Sequence, residues 1–230
     1  MNIGVILAGG IGSRMGMEIP KQYMLLEGKP VLIYSVEVLD NFPMTDVIVI
    51  VAEKQWREQI QKWLEEYGIN KTVIFATPGN SRQMSTYNAL KVIKKEFKKV
   101  ETVLVHDAAR PFLSEKILSN LYEEINYCDG VLPVLNMRDT MYYSENGKEI
   151  DSVPDRTKVY AGQAPELFKF NEYYAAHEKV TEEEINTITG GAVLAFKEGL
   201  RVRFIEGHQN NIKITSKEDL VTAKKIINLE

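Results

Sequence analysis

Cysteine, histidine and long apolar runs are all scarce in this chain. Its 230 residues include one cysteine, Cys128, and three histidines. A single cysteine permits no intrachain disulfide and excludes cysteine-rich metal sites. No apolar run approaches the ~20 residues that a bilayer-spanning helix needs, and no basic stretch leads into an apolar one at the start, as in a signal peptide. We therefore expect a cytoplasmic protein without a membrane partner.

A surplus of positive charge is also lacking. Lysine and arginine number 28 against 32 aspartates and glutamates, which gives a formal net charge of −4. No basic run forms a stripe that could follow a nucleic-acid backbone. The charge balance argues against nucleic acid as a partner, but it leaves room for a small cationic pocket that binds one nucleotide.

Short β-branched runs alternate along the chain with segments of helical period. The predicted strands lie at 3–8, 46–52, 72–77, 102–106, 130–134 and 201–207. Near-continuous apolar strands between amphipathic helices indicate a mostly parallel sheet that is covered on both faces. We therefore predict a Rossmann-like α/β fold.

The alternation breaks at about residues 138–164. Two extended pieces around Asn146-Gly147 predict a β-hairpin. A hairpin inserted late in a parallel domain can project as an arm, or it can add an edge to the same sheet. We expect one domain over residues 1–230, with this arm as its excursion.

The opening segment ILAGGIGSRMG is a glycine-rich loop after a first strand. A Walker A loop would need Gly-Lys-Ser/Thr, which is absent, and a Rossmann fingerprint would need glycine where Met15 stands. The glycines still allow backbone N–H groups to approach a ligand. Arg14 and Lys21 can close over a triphosphate, although each alone could be a solvated surface cation.

Three further segments carry candidate residues. In VHDAARPF, Asp107 ends a strand and suits Mg²⁺, or it caps a helix, and Arg110 could bind an anion or brace it. PGNSRQMSTYNAL, which includes Arg82, is a turn into a helix that could contact a base or ribose. In NNIKITSKEDL, Lys213 would alone be taken for a surface lysine.

Taken together, these segments resemble a known enzyme family. ILAGGIGSRMG…PKQY, GNSRQMSTYNAL, VHDAARPFL, RDTMYY, VPDRTKVY and NNIKITSKEDL occur in the order and spacing of the cytidylyltransferases that activate sugar-alcohol phosphates. The resemblance covers nearly the whole chain. It implies the nucleotide-diphospho-sugar transferase fold, transfer of CMP from CTP to an alditol phosphate, a requirement for Mg²⁺, and a homodimer joined through the β-arm.

The resemblance also implies roles for individual residues. The catalytic cations would be Arg14, Lys21 and Lys213. The residues that hold cytidine would be Ala8, Gly9, Gly10, Gly79 and Ser85. Asp107 would lie near Mg²⁺ and the acceptor with Arg110 close by, and Thr140 and Arg156 would bind the acceptor phosphate in the neighbouring subunit's site.

Two segments depart from the family pattern. Ala164-Pro165-Glu166 stands where the family usually has Thr-Pro-Gln, and Gly190-Gly191 stands where it has an aspartate and a small or acidic residue. Groups that hydrogen-bond a substrate hydroxyl can discriminate strongly between substrates. These departures affect the side of the site that would read the acceptor.

We expect ribitol 5-phosphate, a precursor type for surface polymers such as teichoic acid, as the acceptor. The alternative is 2-C-methyl-D-erythritol 4-phosphate, which belongs to isoprenoid biosynthesis. Two more distant hypotheses are a sugar-1-phosphate nucleotidyltransferase and a nucleotide-binding regulator that has lost catalysis.

Overall fold

A computed structural model describes residues 1–10 and 19–228 of the chain. Its strands are β1 (Asn2–Leu7), β2 (Leu25–Leu26), β3 (Lys29–Pro30), β4 (Val47–Val51), β5 (Thr72–Ala76), β6 (Thr102–Asp107), β7 (Gly130–Asn136), β8 (Tyr160–Gly162), β9 (Glu166–Lys169) and β10 (Val202–Glu206). Its helices are α1 (Val31–Asn41), α2 (Lys54–Glu66), α3 (Arg82–Glu96), α4 (Glu115–Glu124), α5 (Phe170–Lys179), α6 (Glu182–Thr187), α7 (Gly191–Lys197) and α8 (Lys217–Ile227). The predicted alternation of strand and helix is confirmed.

The main sheet has the strand order β10-β7-β9-β6-β1-β4-β5, and β8 pairs with β7 at one end. The β6-β1-β4-β5 block is parallel throughout, and β10 is parallel to β7. The predicted mostly parallel, Rossmann-like sheet is therefore confirmed. Parallel strands end at the same edge, so this topology brings the loops after β1, β4 and β6 together.

Strand β9 is the part of the sheet that the sequence pattern does not reveal. It lies between β6 and β7 and is antiparallel to both. It spans only Glu166–Lys169 and runs directly into α5, so its apolar residues merge with those of the helix. Because β9 runs in the opposite direction, its first residue, Glu166, lies at the edge where β6 ends.

Helices cover both faces of the sheet. Successive residues of the central strands enter different apolar clusters: Ile48 and Ile50 pack with α1, α2 and α4, whereas Val47 and Val49 pack with α3, α5 and α7. This period of two is the pattern of a strand that is buried on both sides. The C-terminal helix α8 begins at a capping box, in which Ser216 accepts from the N–H of Asp219.

The segment between β7 and β8 has little regular structure. One antiparallel bridge joins Tyr143 to Ser152. Between them, Asn146 Oδ1 accepts from the N–H of Lys148 at 2.8 Å, and Gly147 has a φ of +70° that favours glycine. A turn therefore forms at Asn146-Gly147, where the sequence predicts it, but the arm does not form the regular two-stranded ladder of a β-hairpin.

No helix in residues 1–10 and 19–228 is long and apolar enough to cross a membrane.

A buried polar cluster joins α3 to α5. Gln83 Nε2 donates to the Tyr173 hydroxyl at 2.9 Å and to His177 Nε2 at 2.7 Å. His177 Nδ1 in turn donates to the carbonyl of Tyr173 at 2.7 Å. Burial lowers the pKa of His177 to about 4, so the ring is neutral at pH 7. His106, buried at the end of β6, has its pKa lowered to about 4 for the same main reason.

These histidines predict that the protein loses stability in mild acid. The unfolded chain binds protons near the ordinary histidine pKa of about 6.5, whereas the folded chain binds them only near pH 4. The free energy of unfolding should therefore fall as the pH drops from about 6.5 towards 4, by roughly 1.4 kcal/mol per pH unit for each histidine. Urea titrations at pH 7, 6 and 5 measure it. His177→Gln should reduce the pH slope, and an unchanged slope would contradict this assignment.

Candidate active site

A cavity of about 450 Å³ opens at the edge of the sheet where β1 and β6 end. The last residues of these strands, Leu7 and Asp107, are register partners, and both line it. The predicted site residues that also line it are Gly9, Gly10, Lys21, Gly79, Ser85 and Lys213. Residues far apart in the chain thus meet in one pocket, as the parallel topology requires.

The side chain of Gln22, the residue after Lys21, supports the loop after β1. Gln22 is buried, and its Nε2 donates to the carbonyls of Ala8 and Gly10, both at 2.7 Å. The Tyr23 hydroxyl also donates to the Ala8 carbonyl, at 2.8 Å. The short 3-10 turn at Lys21–Tyr23 therefore serves the glycine loop and keeps its polar backbone groups paired.

The glycine loop packs directly against the loop after β5. A Cβ atom at Gly9 would lie 2.4 Å from Pro78 Cβ, so no side chain fits there. On the other side of Pro78, the N–H of Gly79 donates to Ser85 Oγ at 3.0 Å. Ser81 caps α3 by accepting from the N–H of Met84. Both loops are thereby fixed at the mouth of the cavity.

Asp107 is the centre of a charged network at the floor of the cavity. Its Oδ1 accepts from Arg82 Nε at 3.0 Å, and its Oδ2 accepts from Lys213 Nζ at 2.9 Å. Arg110 lies further away, with Nε 3.7 Å from Oδ2. Arg82 also pairs with Glu166, at 3.1 Å between Nη2 and Oε2. Cations and carboxylates alternate from Lys213 through Asp107 and Arg82 to Glu166.

The network keeps Asp107 ionised. Burial by itself would raise the pKa of this carboxyl, but Arg82 and Lys213 outweigh it and hold the pKa well below its usual range. Arg82 has its pKa raised: burial opposes its charge, and Asp107 and Glu166 more than compensate. The cavity therefore presents an ionised carboxylate beside the charged guanidinium of Arg82.

Lys213 reaches Asp107 because the segment before α8 docks on the turn after β6. Arg110 Nη1 donates to the carbonyl of Asn211 at 2.7 Å, and the N–H of Ile214 donates to the carbonyl of Ala109 at 2.8 Å. Asn211 Nδ2 also donates to the Ala164 carbonyl at 2.8 Å. Arg110 therefore anchors this segment and is not among the residues that line the cavity.

Other predicted residues stand apart from the cavity. Thr140 and Arg156 lie exposed on the arm, where Arg156 Nη1 donates to the carbonyl of Arg138. Ala8 is buried behind the loop, and its N–H donates to Val51. Arg14 lies outside the described residues. Among the described residues, the cavity is thus lined by the loops after β1 and β5 and by Asp107, and not by the arm.

Comparisons with known proteins show the family of the chain. The family described as IspD, 2-C-methyl-D-erythritol 4-phosphate cytidylyltransferase, matches residues 3–229. The chain belongs to the IspD family. Its members are nucleotidyltransferases, so the chain is a cytidylyltransferase enzyme. The resemblance seen in the sequence is confirmed.

Individual relatives align over almost their whole length. The chain is 36% identical to a 2-C-methyl-D-erythritol 4-phosphate cytidylyltransferase of Clostridium kluyveri, covering 98% of this chain and 96% of the relative. It is 27% identical to a ribitol-5-phosphate cytidylyltransferase of Lacticaseibacillus paracasei, covering 97% of each. The crystal structure of 4-diphosphocytidyl-2C-methyl-D-erythritol synthase from Anaerococcus prevotii superimposes with a TM-score of 0.86 at 26% identity, covering 99% of this chain and 96% of that one.

Several residues that shape this IspD-family site have contacts that the sequence does not reveal. Gln22 supports the glycine loop, Glu53 lines the cavity, and Arg82 and Glu166 extend the network from Asp107. Arg82 stands inside the GNSRQMS segment, so its motif did mark it. Gln22 and Glu53 are single polar residues beside strands or cations, and no local pattern indicates what they contact.

The cavity suits a magnesium ion that arrives with phosphates. Asp107 and Glu53 are its acidic lining residues, and no group of three metal-ligating side chains occurs in the described part of the chain. Mg²⁺ characteristically takes one or two carboxylates and completes its shell with water and substrate phosphates. An ionised carboxylate has about four lone-pair sites, so Asp107 can accept from Arg82 and Lys213 and still ligate a cation.

The contact between Gly9 and Pro78 generates a stability prediction. Gly9→Ala forces the two loops apart, and overpacking of this kind costs about 1–3 kcal/mol. The matched control is Gly10→Ala, because no heavy atom of the described residues lies within 4 Å of a Cβ there. Urea unfolding should show a clear loss of stability for Gly9→Ala and little change for Gly10→Ala. Equal losses would contradict the packing of the loops.

Proposed function

We propose that this cytidylyltransferase transfers CMP from CTP to 2-C-methyl-D-erythritol 4-phosphate and releases pyrophosphate. The observation that supports the reaction type most directly is the single cavity that joins the glycine loop to the Asp107–Lys213 pair. The identity of the acceptor is supported by the relatives: family and sequence similarity favour the methylerythritol acceptor over the ribitol 5-phosphate that the sequence motifs led us to expect.

In this proposal the two loops hold the nucleotide. Gly9, Gly10, Gly79 and Ser85 form the wall that accepts cytidine, with Ala8 behind them as support. Arg14 and Lys21 bind the triphosphate from the loop side. Backbone groups that are fixed before the ligand arrives lose little entropy on binding, which favours a preformed site.

The chemistry requires charge compensation more than it requires a nucleophile from the protein. An oxygen of the acceptor phosphate attacks the α-phosphorus of CTP, the bond from that phosphorus to the bridging oxygen breaks, and pyrophosphate leaves. Attack brings two anionic groups together, so positioned cations lower the barrier. Arg14, Lys21 and Lys213 supply them, with Asp107 orienting Lys213. Asp107 would hold a Mg²⁺ ion, whose charge would offset the negative charge of the departing pyrophosphate.

The arm supplies the acceptor side in this proposal. Thr140 and Arg156 are exposed and lie away from the chain's own cavity. The arm and its base also expose the aromatic and β-branched side chains of Tyr142, Tyr143, Val153 and Phe204. A homodimer in which each arm enters the neighbouring site would bury such side chains and bring Thr140 and Arg156 to the acceptor phosphate.

A second acceptor remains a candidate because of one specific observation. The relative from Lacticaseibacillus paracasei is a ribitol-5-phosphate enzyme, and it aligns over 97% of this chain. The two acceptors are both alditol phosphates, so the nucleotide half of the site serves either. Residues at the acceptor side decide between them.

Direct assay tests the proposal. Purified protein with CTP and Mg²⁺ should release pyrophosphate with 2-C-methyl-D-erythritol 4-phosphate, and more slowly with ribitol 5-phosphate; the reverse order would replace the acceptor. CTP should raise the melting temperature more than UTP, GTP or ATP does. CTP binding without turnover on any acceptor would instead favour a regulator.

Lys213→Ala should lower kcat by about 10²-fold, the usual effect of removing one group that stabilises transition-state charge. The matched control is Lys217→Ala, which removes an exposed lysine four residues further along. Steady-state kinetics on both variants measure the difference. Equal rates would remove Lys213 from the catalytic machinery.

Mixed dimers test the arm. Lys21→Ala breaks a subunit's own site but leaves its arm intact, and Arg156→Ala does the reverse. If arms serve the neighbouring site, co-expressed mixed dimers recover activity that both parent variants lack, because one site receives an intact arm. An arm that serves its own chain gives no recovery. A monomeric mass in solution would also contradict this arrangement.

A further inference from the structure

Two positions that depart from the family pattern contact each other in the fold. Glu166 opens β9 and is buried. Its Oε1 accepts from the N–H of Ala192 at 2.8 Å, and its Oε2 accepts from the N–H of Gly191 at 3.2 Å. These N–H groups belong to the first turn of α7, where no helix carbonyl is available to pair with them. Glu166 therefore ties the start of α7 to the sheet.

The glycine at 191 is needed because Tyr173 and Glu166 both lie close to it. A Cβ there would lie 2.9 Å from Glu166 Oε2 and 2.4 Å from the Tyr173 hydroxyl, so both groups would have to move. A Cβ on the neighbouring Gly190 would lie 3.7 Å from Glu166 Oε1, which is an ordinary contact. The two departures from the family pattern are thus one structural unit.

The same carboxylate holds Arg82. Glu166 Oε2 receives Arg82 Nη2, while Arg82 Nε reaches Asp107. The Nε and Nη2 groups form the fork with which arginine pairs to a single carboxylate. Here the fork is divided between two acids. Without Glu166, both N–H groups would be available to Asp107, and Arg82 would compete with Lys213 for its oxygens.

The nucleotide loops do not depend on this unit. Ala8 and Gly10 are held by Gln22, and Gly79 is held by Ser85. None of these contacts includes Glu166, Arg82 or α7, and Glu166 does not line the cavity. A change at Glu166 should therefore reach the site through Arg82 and the Asp107 that Arg82 contacts.

We propose that Glu166 is a positioning residue for the acceptor side of the site, where it divides the Arg82 fork and leaves Asp107 oriented towards Lys213 and the acceptor. The inference rests on the proposed function, because it assigns the Asp107 side of the cavity to the alditol phosphate. Gly191 is the second member of the unit, since it provides the space and one N–H group that fix the carboxylate.

Glu166→Gln tests the proposal with almost no change in volume. The carboxylate of Glu166 has two acceptor oxygens for its N–H donors, whereas the amide of glutamine has one. Arg82 therefore loses its partner at this position and is released towards Asp107. We expect kcat/KM for the acceptor to fall by at least about tenfold, as for a lost hydrogen bond to a charged group. The Kd for CTP, measured by calorimetry, should stay within about twofold. The matched control is Glu172→Gln, an exposed carboxylate on α5.

Glycine variants test the same unit without touching a charge. Gly191→Ala should lower kcat/KM for the acceptor and leave the Kd for CTP unchanged, whereas Gly190→Ala should change neither. In the double variant, Glu166→Gln with Gly191→Ala, the losses should be smaller than the sum of the single effects, because the residues act through one contact. These substitutions keep the test available if Glu166→Gln folds poorly.

Three outcomes overturn the proposal. In the first, Glu166→Gln has the same kcat/KM and the same Kd for CTP as Glu172→Gln. In the second, Glu166→Gln weakens CTP binding and kcat/KM for the acceptor equally. In the third, Gly190→Ala lowers kcat/KM for the acceptor as much as Gly191→Ala does. If the wild type transfers CMP to neither acceptor, the proposed function fails instead. The contact between Arg82 and Glu166 can then be tested by urea unfolding of Arg82→Lys, Glu166→Gln and the double variant. Additive losses of unfolding free energy overturn the proposal, and coupled losses support the contact.

Discussion

The ionised carboxylate of Asp107 joins three distant parts of the chain at the site. It ends β6, receives Arg82 from α3, and receives Lys213 from the segment before α8. A buried carboxylate without partners would take up a proton rather than remain charged. The surrounding cations are thus required by the aspartate, and the aspartate holds the cations in place. Because carboxylates lie between the cations, several cations can surround one small cavity without strong mutual repulsion.

Much of the fold follows from the sequence because its signals are local. Runs such as VIVIV can be satisfied only by burial on both faces, and the helices between them carry apolar faces that cover the sheet. Strand β9 escapes this reasoning because four residues between a turn and a helix have no period of their own. It is a strand because it pairs with β6 on one side and with β7 on the other.

The sequence marks the cavity residues that stand in a motif. It does not reveal residues whose role depends on a contact with a distant part of the chain. The glycines beside one strand end and Asp107 at another stand in recognisable motifs, and the structure brings Gly9, Gly10 and Asp107 into one cavity. Gln22 matters because of two carbonyls across a loop, and Glu166 matters because of Arg82 and α7. Such roles depend on distances between elements, which a linear sequence does not contain. In the sequence, the departures at Glu166 and Gly191 look like the loss of two family residues. In the fold, these two residues contact each other.

The docking of the segment before α8 onto the turn after β6 has a consequence for the order in which the site matures. Lys213 lies 106 residues after the carboxylate that it pairs with. Synthesis proceeds from the N-terminus at roughly 5–20 residues per second, so β1, β4, β5 and β6 emerge well before this lysine. A nascent chain can thus possess both glycine loops while Asp107 still lacks Lys213. The Asp107 side of the pocket is therefore completed only after this later segment has left the ribosome.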